Sequence, residues 1–89
     1  MTKIEKEVKN AIKKGKAILG YRKSIKFLKL GKVKKIIIAK NIPESYKNEI
    51  EFNAKLNKLK VEIFDGTSKE LGVICGRPHP VSTIVIVKD

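Results

Sequence analysis

The stretch Lys34-Lys35-Ile36-Ile37-Ile38-Ala39 decides the fold of this 89-residue chain. Its three consecutive isoleucines are β-branched, and such residues favour a strand. An unbroken apolar run lacks the alternation of a half-exposed strand, which predicts burial on both faces of a sheet. A second run of this kind, Ile84-Val85-Ile86-Val87, occurs near the end of the sequence. The two runs together predict a central sheet that is covered on both sides.

Helical and strand segments alternate around these two runs. Residues 3–14 show the i, i+4, i+7, i+8 apolar spacing of a helix, and Thr2 with Glu5 forms a capping box at its start. The predicted elements are, in order, helix 3–14, strand Lys16–Leu19, helix 22–30, strand Lys34–Ala39, a helix after Pro43 with Ile50, Ala54 and Leu56 among its apolar positions, strand Val61–Phe64, a short helix capped by Thr67 and Glu70 that runs to Cys75, and strand Ser82–Val87. This order predicts an α/β fold, a three-layer α/β/α sandwich with a largely parallel sheet, and the short connections predict that residues 1–89 form a single domain.

The composition excludes several classes of protein. A single cysteine, Cys75, excludes an internal disulfide framework and a multi-cysteine zinc site, and its apolar helical neighbours predict a core position. No apolar run exceeds four residues, which is far too short to span a membrane. The first residues, MTKIEKEV, lack the apolar region of a signal peptide. We therefore expect a soluble cytoplasmic protein with no membrane partner, metal or cofactor.

The net charge of +12 is concentrated in the first 40 residues. Residues 1–40 contain 14 Lys and Arg against two acids, whereas residues 41–89 contain seven of each. An asymmetric basic segment is typical of proteins that bind nucleic acid or an anionic membrane. A lysine-rich thermophile composition is the alternative, but it predicts matching glutamate and no segregation. Residues 3–14 contain no aromatic side chain, which argues against a membrane-surface helix.

The second predicted helix departs from the charge pattern of the others. The other three carry a glutamate in the first turn, where a carboxylate complements the helix dipole. The second begins Gly20-Tyr21-Arg22-Lys23-Ser24, with two cations that oppose the dipole. A glycine turn, free backbone N–H groups and flanking cations form a phosphate site, so the sequence predicts that an anion binds there. The alternative is that exposed Arg22 and Lys23 only tolerate the dipole.

Side chains near this turn have more than one interpretation. Lys26 and Lys29 on the second helix are solvated charges that add salt-dependent attraction to a polyanion. Asn41 follows a strand and can either hydrogen-bond a base edge or form an ordinary Asx turn before a helix. Tyr21 can either stack on a base or pack on the sheet.

His79 lies in the stiff loop Arg77-Pro78-His79-Pro80. A lone histidine can be a general base, a metal ligand or a stacking ring, but no second histidine or nearby cysteine completes a metal site. An exposed ring beside Arg77 suits stacking on RNA. The alternative from another class is a small enzyme that uses His79 and Lys69 as acid–base groups, for which the sequence shows no recognisable catalytic constellation.

Four stretches give the chain a resemblance to a known family. They are Leu19-Gly20-Tyr21-Arg22-Lys23-Ser24, Lys35-Ile36-Ile37-Ile38-Ala39-Lys40-Asn41, Gly66-Thr67-Ser68-Lys69-Glu70-Leu71-Gly72 and Gly76-Arg77-Pro78-His79-Pro80-Val81-Ser82. In order and spacing they resemble the thirty-e family of archaeal and eukaryotic large-subunit ribosomal proteins, within the kink-turn RNA-binding superfamily. The resemblance covers almost the whole chain. It implies a four-stranded mixed sheet whose last strand is antiparallel to the other three.

The resemblance also implies a function and a site. The implied function is a non-catalytic constituent of the large ribosomal subunit, a monomer when free, that binds a kink-turn-like element of rRNA through loops at one end of the sheet. The implied RNA-binding residues, to which the charge pattern adds Lys26, are Gly20, Tyr21, Arg22, Lys23, Ser24, Asn41, Ser68, Lys69, Arg77, Pro78, His79 and Pro80. His79 stands where some relatives carry a larger aromatic, which puts the stacking role there in doubt. Tyr21-Arg22 after the loop glycine favours the ribosomal branch over the core subunits of RNA-modification or RNA-processing particles, which are the alternative.

Overall fold

The computed structural model describes residues 3–88 as four helices and four strands that alternate along the chain. The elements are α1 (Lys3–Lys13), β1 (Ala17–Leu19), α2 (Tyr21–Lys29), β2 (Val33–Ala39), α3 (Glu44–Leu56), β3 (Val61–Phe64), α4 (Ser68–Ile74) and β4 (Thr83–Val87). The predicted order and the boundaries to within one or two residues are confirmed. The capping box predicted for Thr2 lies outside the described residues. The box at Thr67 and Glu70 is present, with both of its hydrogen bonds formed.

The four strands form one mixed sheet in the order β1-β4-β2-β3. β2 and β3 pair in parallel, whereas β4 lies between β1 and β2 and is antiparallel to both. Two of the three ladders are therefore antiparallel, so the largely parallel sheet expected from simple alternation is wrong. The resemblance implied that the last strand is antiparallel to the others, and this direction is confirmed.

The direction of β4 follows from the length of α4. Seven helical residues rise about 10 Å, whereas the seven residues of β2 extend about 23 Å. A helix this short does not carry the chain to the far end of the sheet. Residues 76–82 instead fold back over α4, where the Arg77 N–H donates to Gly72 O and the Val81 N–H donates to Ser68 O. The chain therefore enters β4 at the end where β3 finished.

The isoleucine run is buried on both faces, as predicted. Ile37 points to the side of the sheet that α1 and α4 cover, together with Val8 and Leu71. Ile36 and Ile38 point to the side that α2 and α3 cover. Burial of a side chain of this size stabilises the fold by about 1.5–3 kcal/mol. The three-layer α/β/α sandwich is confirmed, and Cys75 is buried in the α1/α4 layer as expected.

One of the three apolar positions in α3 does not face the core. Ile50 and Ala54 are buried against the sheet, but Leu56 is 66% exposed. Two residues beyond Ala54 a helix has turned by about 200°, so Leu56 points away from the sheet. The inward face continues through Asn57, whose Nδ2 donates to Leu28 O (3.1 Å) and Asn53 O (2.8 Å).

The topology brings the functional loops to one end of the sheet. β1, β2 and β3 finish at this end and β4 begins there, so the loops that follow or precede them are neighbours. We call this the loop end and define it as residues 20–23, 40–44, 65–70 and 76–82. None of the helices described has the length and apolar character needed to cross a membrane.

Candidate nucleic-acid interface

The loop end is held together by its own backbone. Four hydrogen bonds of 2.9–3.0 Å link its segments to one another and to the strand ends: the Gly20 N–H to Thr83 O, the Ala39 N–H to Ser82 O, the Lys40 N–H to Gly66 O and the Val81 N–H to Ser68 O. Because these bonds join segments distant in sequence, the side chains between them have fixed relative positions. The structure thus brings together the four loops from which the site residues were predicted.

The start of α2 has the uncapped, acid-free geometry that the sequence predicted. Gly20 is the N-cap residue, no side chain caps the helix, and no acid lies in its first turn. The first-turn N–H groups have no partner within the helix and point outward from its positive end. Arg22 and Lys23 are both exposed beside them. This end of the helix therefore offers backbone donors and two cations to an anion.

Gly20 is required at this turn by its backbone conformation. Its φ of 101° is a conformation that other residues rarely adopt. A Cβ built on Gly20 would meet no atom within 4 Å, so the space over the turn is open. The same glycine thus permits the turn and leaves room for a ligand backbone to approach the helix start.

Two loops of the site face each other across a groove of about 390 Å³. Lys23 from α2 lies on one side, and Arg77 and His79 from the last loop lie on the other. The residues of the edge strand β1, Ala17–Leu19, form the floor. The groove combines two cations and an imidazole over an apolar floor, which suits a phosphate next to an exposed base.

Asn41 connects two of the loops and presents only a hydrogen-bond donor at the surface. Its Oδ1 accepts a hydrogen bond from the Ser68 N–H at 2.8 Å. A backbone N–H can only donate, so the amide orientation is determined and Nδ2 is the end left at the exposed surface. The Asn41 side chain therefore accepts from the first N–H of α4 and offers an outward hydrogen-bond donor, and its contact with a base edge stays a prediction.

The last loop is fixed against α4 at a glycine. A Cβ on Gly72 would come within 2.3 Å of His79 O and 3.2 Å of His79 C, which are both backbone atoms. The absence of a side chain at Gly72 therefore lets the loop approach. The His79 ring is exposed, and its Nδ1 lies 3.3 Å from Pro80 O. This contact and the flanking Pro78 and Pro80 restrict a ring that remains open to a ligand.

Tyr21 anchors α2 to α3. Its ring stacks on Tyr46 with a centroid separation of 3.8 Å and an interplanar angle of 6°. Its hydroxyl donates to Glu49 Oε2 at 2.5 Å. Burial, and next the hydrogen bond and charge of Glu49, raise the pKa of the Tyr21 phenol to about 12. With one face covered and the hydroxyl engaged, Tyr21 positions the helix start, so neither of its predicted roles describes it fully.

The other predicted site residues differ in how far their side chains are exposed to solvent. Ser24 is 1% exposed and its Oγ donates to Ile18 O at 3.5 Å, so its side chain is buried within the fold and its contact with RNA stays a prediction. Ser68 is half-buried and contributes backbone bonds. Lys26 and Lys69 are exposed, and Lys26 lies one turn beyond Arg22 and Lys23 on α2. The exposed residues of the predicted set are therefore the cations, Asn41, His79 and the two prolines that flank His79.

Sequence reasoning missed Lys40 at the loop end and two residues of α3 that hold the loop end through Tyr21. Tyr46 and Glu49 hold Tyr21, and their i, i+3 spacing at the start of α3 was the signal that could have identified them. Lys40 is exposed and lies 3.7 Å from the Asp65 carboxylate. Among residues 3–88 no three His, Cys, Asp or Glu side chains are grouped so that they could hold a metal ion.

The sequence signature of the ribosomal protein L7Ae/L30e/S12e/Gadd45 family matches residues 2–89. The chain belongs to this family. Three archaeal relatives carry the name large ribosomal subunit protein eL30. The Methanopyrus kandleri protein is 40% identical over 89 residues, which are 100% of this chain and 82% of the relative. The Methanothermobacter thermautotrophicus protein is 43% identical over 93% of this chain and 85% of the relative. The Sulfurisphaera tokodaii protein is 38% identical over 98% and 82%.

A solved structure supports the fold independently of sequence. A Bacillus halodurans protein of unknown function superposes with a TM-score of 0.88, covering 99% of this chain and 87% of its own. Its sequence is only 17% identical, so this likeness shows the fold alone. The fold and the family implied by the four sequence stretches are both confirmed.

Proposed function

We propose that this chain is a non-catalytic constituent of the large ribosomal subunit, and so a cytoplasmic ribosome-associated protein. In this proposal the loop end binds rRNA at a kink-turn-like element, and the protein is a monomer when free. The family relationship and the names of the relatives support the ribosomal role.

The observation that carries the RNA-binding role is the meeting of positive groups from two loops at the start of α2. Lys23, in the first turn of the uncapped helix α2, lines one groove together with Arg77 and His79, and no acid lines it. Cations and helix N-terminal N–H groups bind phosphate, and a guanidinium can bind it through two parallel hydrogen bonds. The groove therefore fits a phosphate at a position where the RNA backbone bends sharply.

The remaining groups of the loop end supply selectivity. Nδ2 of Asn41 is a donor and complements acceptors such as the O6 and N7 atoms of guanine. His79 offers an exposed ring for an unstacked base. A straight A-form duplex hides its base edges in a deep, narrow groove, whereas a bent RNA with flipped-out nucleotides exposes them. The loop end should therefore distinguish the two shapes.

The enzyme alternative gains no support from the geometry. The one hydrogen-bond partner of the His79 ring within residues 3–88 is Pro80 O, and no carboxylate contacts it. Lys69 is exposed on α4, and the relatives are ribosomal proteins.

A gel-shift comparison tests the proposal. The full chain is titrated against a kink-turn RNA and against a straight duplex of matched length and base composition, at a salt concentration near that of the cell. We expect affinity at least about tenfold higher for the kink-turn, since exposed base contacts contribute about 1–3 kcal/mol each. Equal affinity for the two RNAs would contradict shape-selective binding, and no binding to either would contradict the rRNA-binding role.

A further inference from the structure

The largest concentration of positive charge lies at the end of the sheet opposite the loop end. There the chain enters β1, β2 and β3 and leaves β4, through residues 14–16, 30–34, 57–60 and 88. We call these residues the lysine end. They include seven lysines and no acid: Lys14, Lys16, Lys32, Lys34, Lys58, Lys60 and Lys88. All but Lys16, which is half-buried, are exposed.

The segments that carry these lysines are neighbours at this end of the sheet. Lys14, Lys16 and Lys34 line a single groove of about 200 Å³ between α1 and the sheet. The Lys88 N–H donates to Lys32 O at 2.8 Å, which joins the strand ends beyond that groove.

The loop that carries Lys58 and Lys60 packs beside the segment of Lys32. Asn57 Nδ2 donates to Leu28 O at 3.1 Å, and Asn57 Oδ1 lies 3.5 Å from a Cβ position at Gly31. The cations of all four segments are thus adjacent.

Glu7 and Glu62, two carboxylates on the adjoining α1 and β3, pair with a different cation. Glu7 also lines the groove, but it forms an ion pair with Lys35. Glu62 pairs with the same ammonium at 3.1 Å. Among residues 3–88, no ion pair involves the side chains of the six exposed lysines of the lysine end. Like charges held this close oppose folding unless a polyanion neutralises them.

The loop end has cations of its own and lies too far from the lysines of the lysine end to use their charge. Its segments contain five cations and three acids, against seven lysines and no acid at the lysine end. The two ends are separated by the length of β2, about 23 Å. Screening acts over about 8 Å at physiological salt, so the lysine end exerts little attraction on RNA at the loop end.

We propose that the lysine end binds the phosphate backbone of a second RNA segment, so that one chain connects two RNA segments. The choice of RNA rests on the proposed function. Lysine is a compact charge that binds phosphate without reading bases, so this second contact is independent of sequence. An anionic membrane is a poorer fit, because Leu30 is the one exposed large apolar side chain in these segments and no aromatic accompanies it.

A ternary-complex experiment tests this inference. The full chain is saturated with a labelled kink-turn RNA, and a short straight RNA duplex with a second label is then added. We expect the two labels to comigrate on a native gel at low salt. The slope of log affinity for the duplex against log salt should be steep, by about 0.9 for each phosphate contacted. No duplex capture at low salt, or capture of phosphatidylserine vesicles but not of duplex, would overturn the proposal.

Matched variants locate the contact. Lys34→Gln with Lys58→Gln and Lys60→Gln removes three charges from the lysine end. Lys3→Gln with Lys6→Gln and Lys9→Gln removes three from the exposed face of α1. We expect the first triple variant to weaken duplex capture at least about tenfold and to reduce the salt slope by about two to three, with kink-turn affinity changed less than about twofold. An equal loss with the α1 variant would overturn the assignment to the lysine end.

A further variant separates the two proposals. Arg22→Glu with Lys23→Glu disables the loop end, so a chain that loses the kink-turn but still captures duplex preserves the lysine-end inference. If the loop end binds no kink-turn RNA even in the unaltered chain, the proposed function fails while the duplex titration still decides the second site. Circular dichroism of each variant confirms that it is folded.

Discussion

The two ends of the sheet differ in how their positive groups are held. At the loop end, backbone hydrogen bonds fix four segments, and the donors of Asn41 and of the α2 start point outward in set directions. At the lysine end, the six exposed lysines sit on flexible side chains and form no ion pair among residues 3–88, and the local charge is higher. Fixed donors distinguish between ligands, whereas mobile charges attract any polyanion. Our two proposals therefore place selectivity and attraction at opposite ends of the molecule.

Charge reversal should lower kink-turn affinity strongly when it is made at the loop end and hardly at all when it is made at the lysine end. Arg22→Glu with Lys23→Glu removes two charge-assisted contacts at the α2 start, each worth about 1.5 kcal/mol or more, so we expect kink-turn affinity to fall about 100-fold. Lys58→Glu with Lys60→Glu changes the net charge equally at the lysine end and should alter kink-turn affinity by less than about twofold. Filter binding measures both, and similar losses would show that net charge alone controls affinity.

The same loop-end variant should remain at least as stable as the unaltered chain. Two acids in the first turn of α2 complement the dipole that Arg22 and Lys23 oppose, by about 0.3–1 kcal/mol each. Thermal unfolding followed by circular dichroism checks this expectation. A marked fall in the unfolding midpoint would mean that the lost affinity reflects a damaged fold.

A side chain at Gly72 should displace the loop of residues 76–82, which packs against α4. An alanine Cβ would overlap His79 O, and a backbone atom moves only with its loop. We expect Gly72→Ala to reduce the free energy of unfolding by about 1–3 kcal/mol and to weaken kink-turn binding, with duplex capture by the lysine end unaffected. Val73→Ala, at an adjacent position that is 70% exposed, serves as the control. Unchanged stability and affinity in Gly72→Ala would contradict the tight packing of this loop on α4.

Replacing Asn41 separates its two functions. Asn41→Asp keeps an oxygen that accepts from the Ser68 N–H but loses the outward donor. We therefore expect normal stability with kink-turn affinity reduced about tenfold, in the range of one base-edge contact. Asn41→Ala should lose both affinity and stability. An aspartate variant that binds normally would show that the amide donor makes no contact.

The smallest effect should appear in the titration of Tyr21. Its pKa of about 12 lies above the ordinary 10. The protonated phenol thus adds stability that is complete below pH 10 and is lost as the pH rises towards 12. In a Tyr46→Phe background, tyrosinate absorbance reports Tyr21 alone, since the chain has two tyrosines and no tryptophan. Adding Glu49→Gln should lower the pKa of Tyr21, and an unchanged titration would remove Glu49 as an anchor.

Local patterns predicted the elements because each pattern has a local cause. The Ile36–Ile38 run, the glycine stops and the Thr67 box act within a few residues, so their positions can be found in the sequence. The antiparallel β4 could not be derived from alternation, because it depends on a comparison of the length of α4 with that of the sheet. The resemblance supplied it instead.

The candidate residues could be named from the sequence, but the geometry that joins them could not. The start of α2 can be found in the sequence, because its two cations oppose the helix dipole and no acid lies in its first turn. The burial of Ser24 and the stacking of Tyr21 on Tyr46 depend on contacts between α2 and its neighbours in the fold, which periodicity does not report. The charge asymmetry is a property of the linear sequence, whereas the structure distributes eight of the 13 lysines of residues 1–40 to α1 and to the end opposite the predicted site.

Amide chemical-shift mapping tests the central distinction most directly. The 10.0 kDa chain, labelled with ¹⁵N, is titrated with one equivalent of kink-turn RNA at physiological salt. We predict the largest shifts at the backbone N–H groups of residues 21–23, at the Asn41 side-chain amide and in residues 77–79, with residues 58–60 nearly unmoved. Shifts concentrated at the lysine end, with the start of α2 unchanged, would contradict selective binding at the loop end.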